Sequence, residues 1–183
     1  VWNDIVLGGA ASLLKTTSGT VYLQGNNTYS GGTTIDEGTL QLQQNQNGLG
    51  TGDVLINTGG ILRFSPGSTG ASYYFPNNMT LDGGTIWAED GNQHLSSSAT
   101  LDIAAGGGTL LASYDNKTLY VDALITGSGD LSIAKHASVG NGARIHFTNG
   151  SNTYSGTATI EDNPVILYID ASNALSQATV NNL

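Results

Sequence analysis

Apolar and polar residues alternate along most of the chain in runs of three to five that end in Gly-Gly or Gly-x-Gly and then begin again. The runs include Gly38-Thr39-Leu40-Gln41-Leu42, Asp53-Val54-Leu55-Ile56-Asn57, Gly60-Ile61-Leu62-Arg63-Phe64, Met79-Thr80-Leu81-Asp82 and Gly84-Thr85-Ile86-Trp87-Ala88. Ala99-Thr100-Leu101-Asp102-Ile103, Gly108-Thr109-Leu110-Leu111-Ala112, Thr118-Leu119-Tyr120-Val121 and Asp130-Leu131-Ser132-Ile133 continue the rhythm. Alternation at period two puts Leu40 with Leu42, and Val54 with Ile56, on one face of a strand and Thr or Gln on the other. Strands this short cannot bury an apolar face alone. Stacked coil upon coil, they form a continuous core in which each backbone group pairs with the rung above or below. At about 20 to 25 residues per coil, the chain makes roughly eight coils of a parallel β-solenoid without an internal linker. Gly supplies the positive φ angles of the corners, and Asn is the next residue type to tolerate them. Ala10 to Lys15 is the one candidate for a helical turn.

A longer repeat overlies this rhythm. Asn27-Thr28-Tyr29-Ser30-Gly31-Gly32-Thr33-Thr34-Ile35 returns as Asn152-Thr153-Tyr154-Ser155-Gly156-Thr157-Ala158-Thr159-Ile160, at an offset of 125. Downstream, Asn47-Gly48-Leu49 is echoed by Asn173-Ala174-Leu175. The internal repeats therefore lie near 18–60 and 143–183, within a single solenoid segment spanning 1–183. In the second copy Glu161-Asp162-Asn163-Pro164 replaces Asp36-Glu37-Gly38, and Pro164, lacking an amide hydrogen, must bend its coil or leave the ladder.

Composition agrees with this pattern. Gly, Asn, Thr and Ser number 26, 17, 21 and 17 of 183 residues, and only 10% are charged, which excludes a helical bundle. The net charge of −9, with five basic residues, argues against nucleic acid and against an anionic membrane surface. No cysteine is present, so disulfides and thiolate metal sites are excluded and packing with backbone hydrogen bonds must hold the chain. No apolar run is long enough to span a bilayer. The sequence opens without a basic and then apolar leader, in the manner of a segment of a longer precursor.

Gly25 to Ile35, then Gly38 to Leu42, then Leu49-Gly50-Thr51-Gly52-Asp53-Val54 together resemble the autotransporter-associated β-strand repeat, also called the passenger-associated transport repeat. Ile125 to Leu131 is similar to the Gly-rich segment that precedes such repeats, and Met79 to Ile86 to the one between them. The resemblance implies a right-handed single-stranded parallel β-helix in the passenger of a bacterial type V secretion adhesin, placed on the cell surface or secreted. It carries architecture and transport, and no catalytic residue or cofactor. The structural residues it singles out are Asn27, Tyr29, Gly31, Gly32, Thr33 and Gly38, with Asn152, Tyr154 and Gly156 as counterparts.

Under this reading the chain is a non-enzymatic stalk or adhesin scaffold. Its partners are a host or matrix glycan or protein, or copies of itself joined end to end in fibres, since open solenoid ends expose unpaired strands. A ligand surface is expected at Tyr73, Tyr74, Phe75 and Trp87, where aromatic faces gather beside Asn and Asp; the bland alternative is that alternate members of the run point into the core. The competing function is a polysaccharide-binding or polysaccharide-cleaving β-helix, with Asp36/Glu37, Glu89/Asp90 or Glu161/Asp162 as acids and Arg144 and His146 as basic partners. Adjacent residues on a strand face opposite sides, so a working carboxylate pair must come from different coils. Gly50 to Val54 and Gly127 to Leu131 each match part of a calcium-binding nonapeptide, but too far apart to form consecutive turns, so no metal is expected. Ranked Thr-x-Thr pairs, as an ice-binding face needs, do not recur once per coil.

Overall fold

The computed structural model describes residues 6–43, 45–65, 72–113, 117–136, 142–161, 165–170, 175 and, as backbone, 179–182. In chain order the strands are β1 (Leu13–Leu23), β2 (Thr33–Leu42), β3 (Val54–Asn57), β4 (Gly60–Phe64), β5 (Ser72–Phe75) and β6 (Met79–Asp82). They continue as β7 (Gly84–Ala88), β8 (Asn92–Leu95), β9 (Thr100–Ile103), β10 (Gly108–Ala112), β11 (Thr118–Val121) and β12 (Leu124–Gly127). β13 (Leu131–Lys135), β14 (Arg144–Phe147), β15 (Thr157–Ile160), β16 (Ile166–Ile169) and β17 (Thr179–Asn182) complete the order. No helix occurs among the described residues. Ala10 to Lys15 makes no helix: the Leu13 amide donates to Gly32 O at 2.9 Å, so the neighbouring coil claims Leu13 to Lys15 as the start of β1.

The strands pair in parallel and lie on three faces. The first holds the start of β2 with β3, β6, β9 and β12, and the second holds the end of β2 with β4, β7, β10, β13, β15 and β17. The third is a separate sheet of β5, β8, β11, β14 and β16. β1 runs along both halves of β2, so the first two faces are one sheet at that end. The result is a β-solenoid of about six turns. Turn length varies: Tyr74 pairs with His94, 20 residues on, whereas Ile133 pairs with Ile160, 27 residues on. The second spacing exceeds the roughly 20 to 25 residues per coil expected from the sequence, and the ladders keep their pairing at both.

Each face sends alternate side chains inward. Ile35, Ile56, Leu81 and Ile103 share one inward column of the first face, and Leu40, Leu62, Ile86, Leu110 and Ile133 one of the second. All nine are fully buried. Phe75, Leu95, Val121 and Phe147 form the corresponding column of the third face. Phe64 and Phe75 stack at 4.0 Å and 11°, which locks the second face to the third within one turn. Burying each such side chain contributes about 1.5–3 kcal/mol, so the inward columns are the main source of stability.

The two sequence repeats are out of phase with the turns. From Leu40 the register passes through Leu62, Ile86, Leu110 and Ile133 to Ile160. Ile35, which aligns with Ile160 in sequence, heads instead the column of the first face that runs through Ile56, Leu81 and Ile103 to Gly127. An offset of 125 residues is not a whole number of turns of this length, so the second copy sits one face further round the prism. The repeat is thus a portable corner device rather than a marker of one fixed edge.

Candidate functional site

Asn27 and Tyr29 show what the corner device does. Asn27 is buried: its Oδ1 accepts from Leu7 N at 2.8 Å and its Nδ2 donates to Gly48 O at 2.6 Å, so one amide ties its coil to both neighbours. Asn152 accepts from Ile125 N at 2.7 Å and donates to Asn149 O at 2.9 Å. Tyr29 and Tyr154 are each 1% exposed. The Tyr29 hydroxyl meets Thr33 Oγ1 at 2.5 Å, and that of Tyr154 reaches Gly129 O at 2.9 Å and Thr157 O at 2.8 Å. Burial pushes both phenols up, that of Tyr154 to about 12 with the Asp130 carboxylate adding to the effect. Gly50 lies against the Tyr29 ring at a φ of 67°, leaving no room for a Cβ.

Of the four residues expected to form a ligand surface, Phe75 is 1% exposed and belongs to the core. Tyr73 is half-buried against that core, and Tyr74 alone of the three points outward, at 52% exposure. Alternation along β5 dictates this split. Trp87 sits half-buried on β7, on the second face, so the structure does not bring it together with the tyrosines. Arg63 lies 4.1 Å over its ring, His136 stacks on it at 4.7 Å and 6°, and its Nε1 donates to Ser113 Oγ at 2.6 Å.

Tyr74 instead heads a ladder. Tyr74, His94, Tyr120, His146 and Tyr168 occupy the same outward position on β5, β8, β11, β14 and β16. Ring centroids are 4.2, 4.3, 5.2 and 5.3 Å apart in turn, with interplanar angles of 18°, 1°, 42° and 51°. Beside the rings runs a polar column. Asp122 Oδ2 lies 2.8 Å from His94 Nδ1, its Oδ1 accepts from Thr148 Oγ1 at 2.6 Å, and Asp170 Oδ2 lies 2.7 Å from His146 Nε2. Sequence reading did not assemble this ladder. The available signal was a Tyr or His third in each four-residue strand of the third face; it was obscured because the strand spacing varies and β8 and β16 carry weak alternation.

The acidic pairs are dispersed. Asp36 accepts from Asn57 Nδ2 at 2.7 Å, Glu89 is held by the Arg63 guanidinium, with Nε to Oε2 at 2.9 Å, and Glu161 accepts from Ser132 Oγ at 2.7 Å. Asp162, like Pro164, lies outside the described residues. Arg144 and His146 share the outward side of β14. Among the described residues no group of three or more His, Asp or Glu is placed to hold a metal ion.

The model of the passenger-associated-transport-repeat family matches residues 13–42 and 146–162, the two segments built around Tyr29 and Tyr154. The chain carries the passenger-associated transport repeat in these two segments. It is 30% identical over 166 residues to the adhesin BmaC autotransporter of Brucella suis biovar 1 (strain 1330). That similarity covers 90% of this chain and 4% of the relative, so the chain spans a small part of the length of the adhesin it matches. No solved structure matches this chain. The matched segments hold the corner asparagines and tyrosines and, in the second, His146; the other four rings of the ladder lie outside them.

Proposed function

We propose that the chain is a non-enzymatic structural segment of an exported bacterial adhesin, a rigid scaffold that carries adhesive surface away from the cell. One observation carries this reading: the repeat residues spend their polar groups on neighbouring coils, Asn27 on Leu7 and Gly48, Asn152 on Ile125. Residues used in this way serve architecture, and stacked coils that contact only their neighbours can nucleate and propagate as an unfolded chain is exported. The similarity to an autotransporter adhesin supports a cell-surface or secreted location. The dispersed carboxylates, each bonded to a separate partner, favour scaffold over hydrolase.

End-to-end association belongs to the same reading. An apolar hollow lined by Leu7, Leu13, Val21, Tyr22 and Leu23 opens at the first described coil, where Leu14 is 61% exposed. Another coil, from the same passenger or from a second copy, is the natural cover for such a surface.

The test is capture of the purified chain on glycan and extracellular-matrix arrays, with reducing-sugar release measured on every hit and light scattering on the free protein. Capture without release supports the adhesin scaffold, and concentration-dependent fibres support end-to-end stacking. Release of sugar ends would overturn the reading in favour of a polysaccharide-cleaving enzyme.

A further inference from the structure

We propose that the ladder of Tyr74, His94, Tyr120, His146 and Tyr168 is a binding strip for one chain of an uncharged, β-linked polysaccharide lying along the solenoid axis. The proposal rests on the adhesin reading and narrows it to a surface and a ligand class.

Spacing is the first argument. Successive rungs are about 4.8 Å apart, so the five rings span about 19 Å. A β-1,4-linked sugar chain is an extended ribbon that advances by close to one rung per sugar, so each sugar can lie against one rung. An α-linked chain coils away from a straight strip.

Ring orientation is the second. Tyr74, His94 and Tyr120 stack on one another, which uses up the ring faces between them, and the imidazoles of His94 and His146 are turned to the carboxylates of Asp122 and Asp170. Only the terminal rings keep broad exposure, 52% for Tyr74 and 42% for Tyr168. The polar column of Asp122, Thr148 and Asn149 beside the rings therefore offers hydrogen bonds, and the exposed faces of Tyr74 and Tyr168 offer apolar contact, the combination that a sugar chain with polar rims and C–H faces requires. Each Asp122 carboxylate oxygen already accepts one bond and retains capacity for another. An open groove lined by Tyr74, Ser97, Asp122, Thr148 and Asn149 runs beside the rings.

Charge and rigidity complete the case. The carboxylates of Asp122 and Asp170 and a net charge of −9 repel uronate or sulfated chains and admit neutral ones. Strand positions hold the rings in register before the ligand arrives, which lowers the ordering cost of binding.

The deciding experiment is calorimetric titration of the 183-residue chain with xylan-, cellulose- and chitin-derived oligosaccharides from disaccharide to hexasaccharide, beside an oligouronate of matched length. Affinity is expected to rise with each sugar until the oligomer covers the ladder, at about four sugars, and then to level off. Tyr74→Ala and Tyr168→Ala, both at exposed positions and checked for intact fold by circular dichroism, should each weaken binding about threefold to tenfold. Thr80→Ala on the first face should leave it unchanged. Affinity independent of length, wild-type affinity in both tyrosine variants, or equal binding of the oligouronate would each overturn the proposal. If neutral sugars fail to bind while a matrix protein still captures the chain, the ladder proposal falls and the adhesin reading stands. Loss of binding in Trp87→Ala alone would place the sugar on the second face and also overturn it. Silence toward every glycan and matrix protein would overturn both.

Discussion

Asn27 is among the hardest-working side chains of the molecule at the scale of single residues. Replacing it with Ala leaves the buried Gly48 carbonyl without its partner and removes the bond to the Leu7 amide at the surface, at a cost of about 1–3 kcal/mol. A lowered urea midpoint at unchanged slope would register it. Tyr154 gives a pH signature. Its phenol keeps its proton in the fold up to about pH 12, while the unfolded chain ionises near the ordinary value of 10.0. Between those values the unfolded state binds fewer protons, so stability is complete below pH 10.0 and falls as pH climbs toward 12. Urea titrations across that interval should show a shallower decline in Tyr154→Phe, which has no proton to lose, than in the wild type.

The strand-to-strand corner is the informative element, because there sequence and backbone constrain each other most tightly. Gly38 turns from the first face to the second inside β2 with a φ of 73°, and an added Cβ would run into the carbonyl of Thr17 and the ammonium of Lys15, 2.7 Å away. Lys15 is itself buried and donates to Glu37 O at 2.9 Å, so it has little freedom to withdraw. Gly38→Ala should destabilise by more than about 1 kcal/mol. Gly19→Ala, at a position of ordinary φ with nothing within 4 Å, should stay within about 0.5 kcal/mol. Thermal unfolding of the pair separates a conformational requirement from mere glycine richness.

For the whole molecule, stability is a sum over neighbouring turns. Contacts run almost wholly between adjacent rungs, so a local defect weakens its own interfaces first. Leu110, fully buried between Ile86 and Ile133, should cost about 2–5 kcal/mol when replaced by Ala. Hydrogen exchange should then show the largest loss of protection in β7, β10 and β13. In the unmodified chain, β1, largely exposed and paired among the described residues with β2 alone, should exchange faster than β10. Uniform exchange across all turns would contradict this additive picture.

Much of this architecture was legible in the residues themselves. The nine alternating runs from Gly38 to Ile133 all became strands with the inward faces their alternation requires, because side chains on a pleated strand must alternate and Leu40, Ile56 or Leu110 can only be satisfied inside. Among the strands outside those runs, β8 is blurred by the buried Gln93 and β16 by its exposed Tyr168 and Ile169. Local sequence also marked Asn27, Tyr29 and their copies as structural. It could not show that an offset of 125 residues carries the second copy to a different face, since that depends on corner lengths summed over several turns. Nor could it show that Tyr73, Tyr74, Phe75 and Trp87 part company while Tyr74, His94, Tyr120, His146 and Tyr168 come together. Alternation is a property of one strand and is written in its residues. Register between strands some 20 to 27 residues apart is set by how the whole stack closes, and only the tertiary structure decides it.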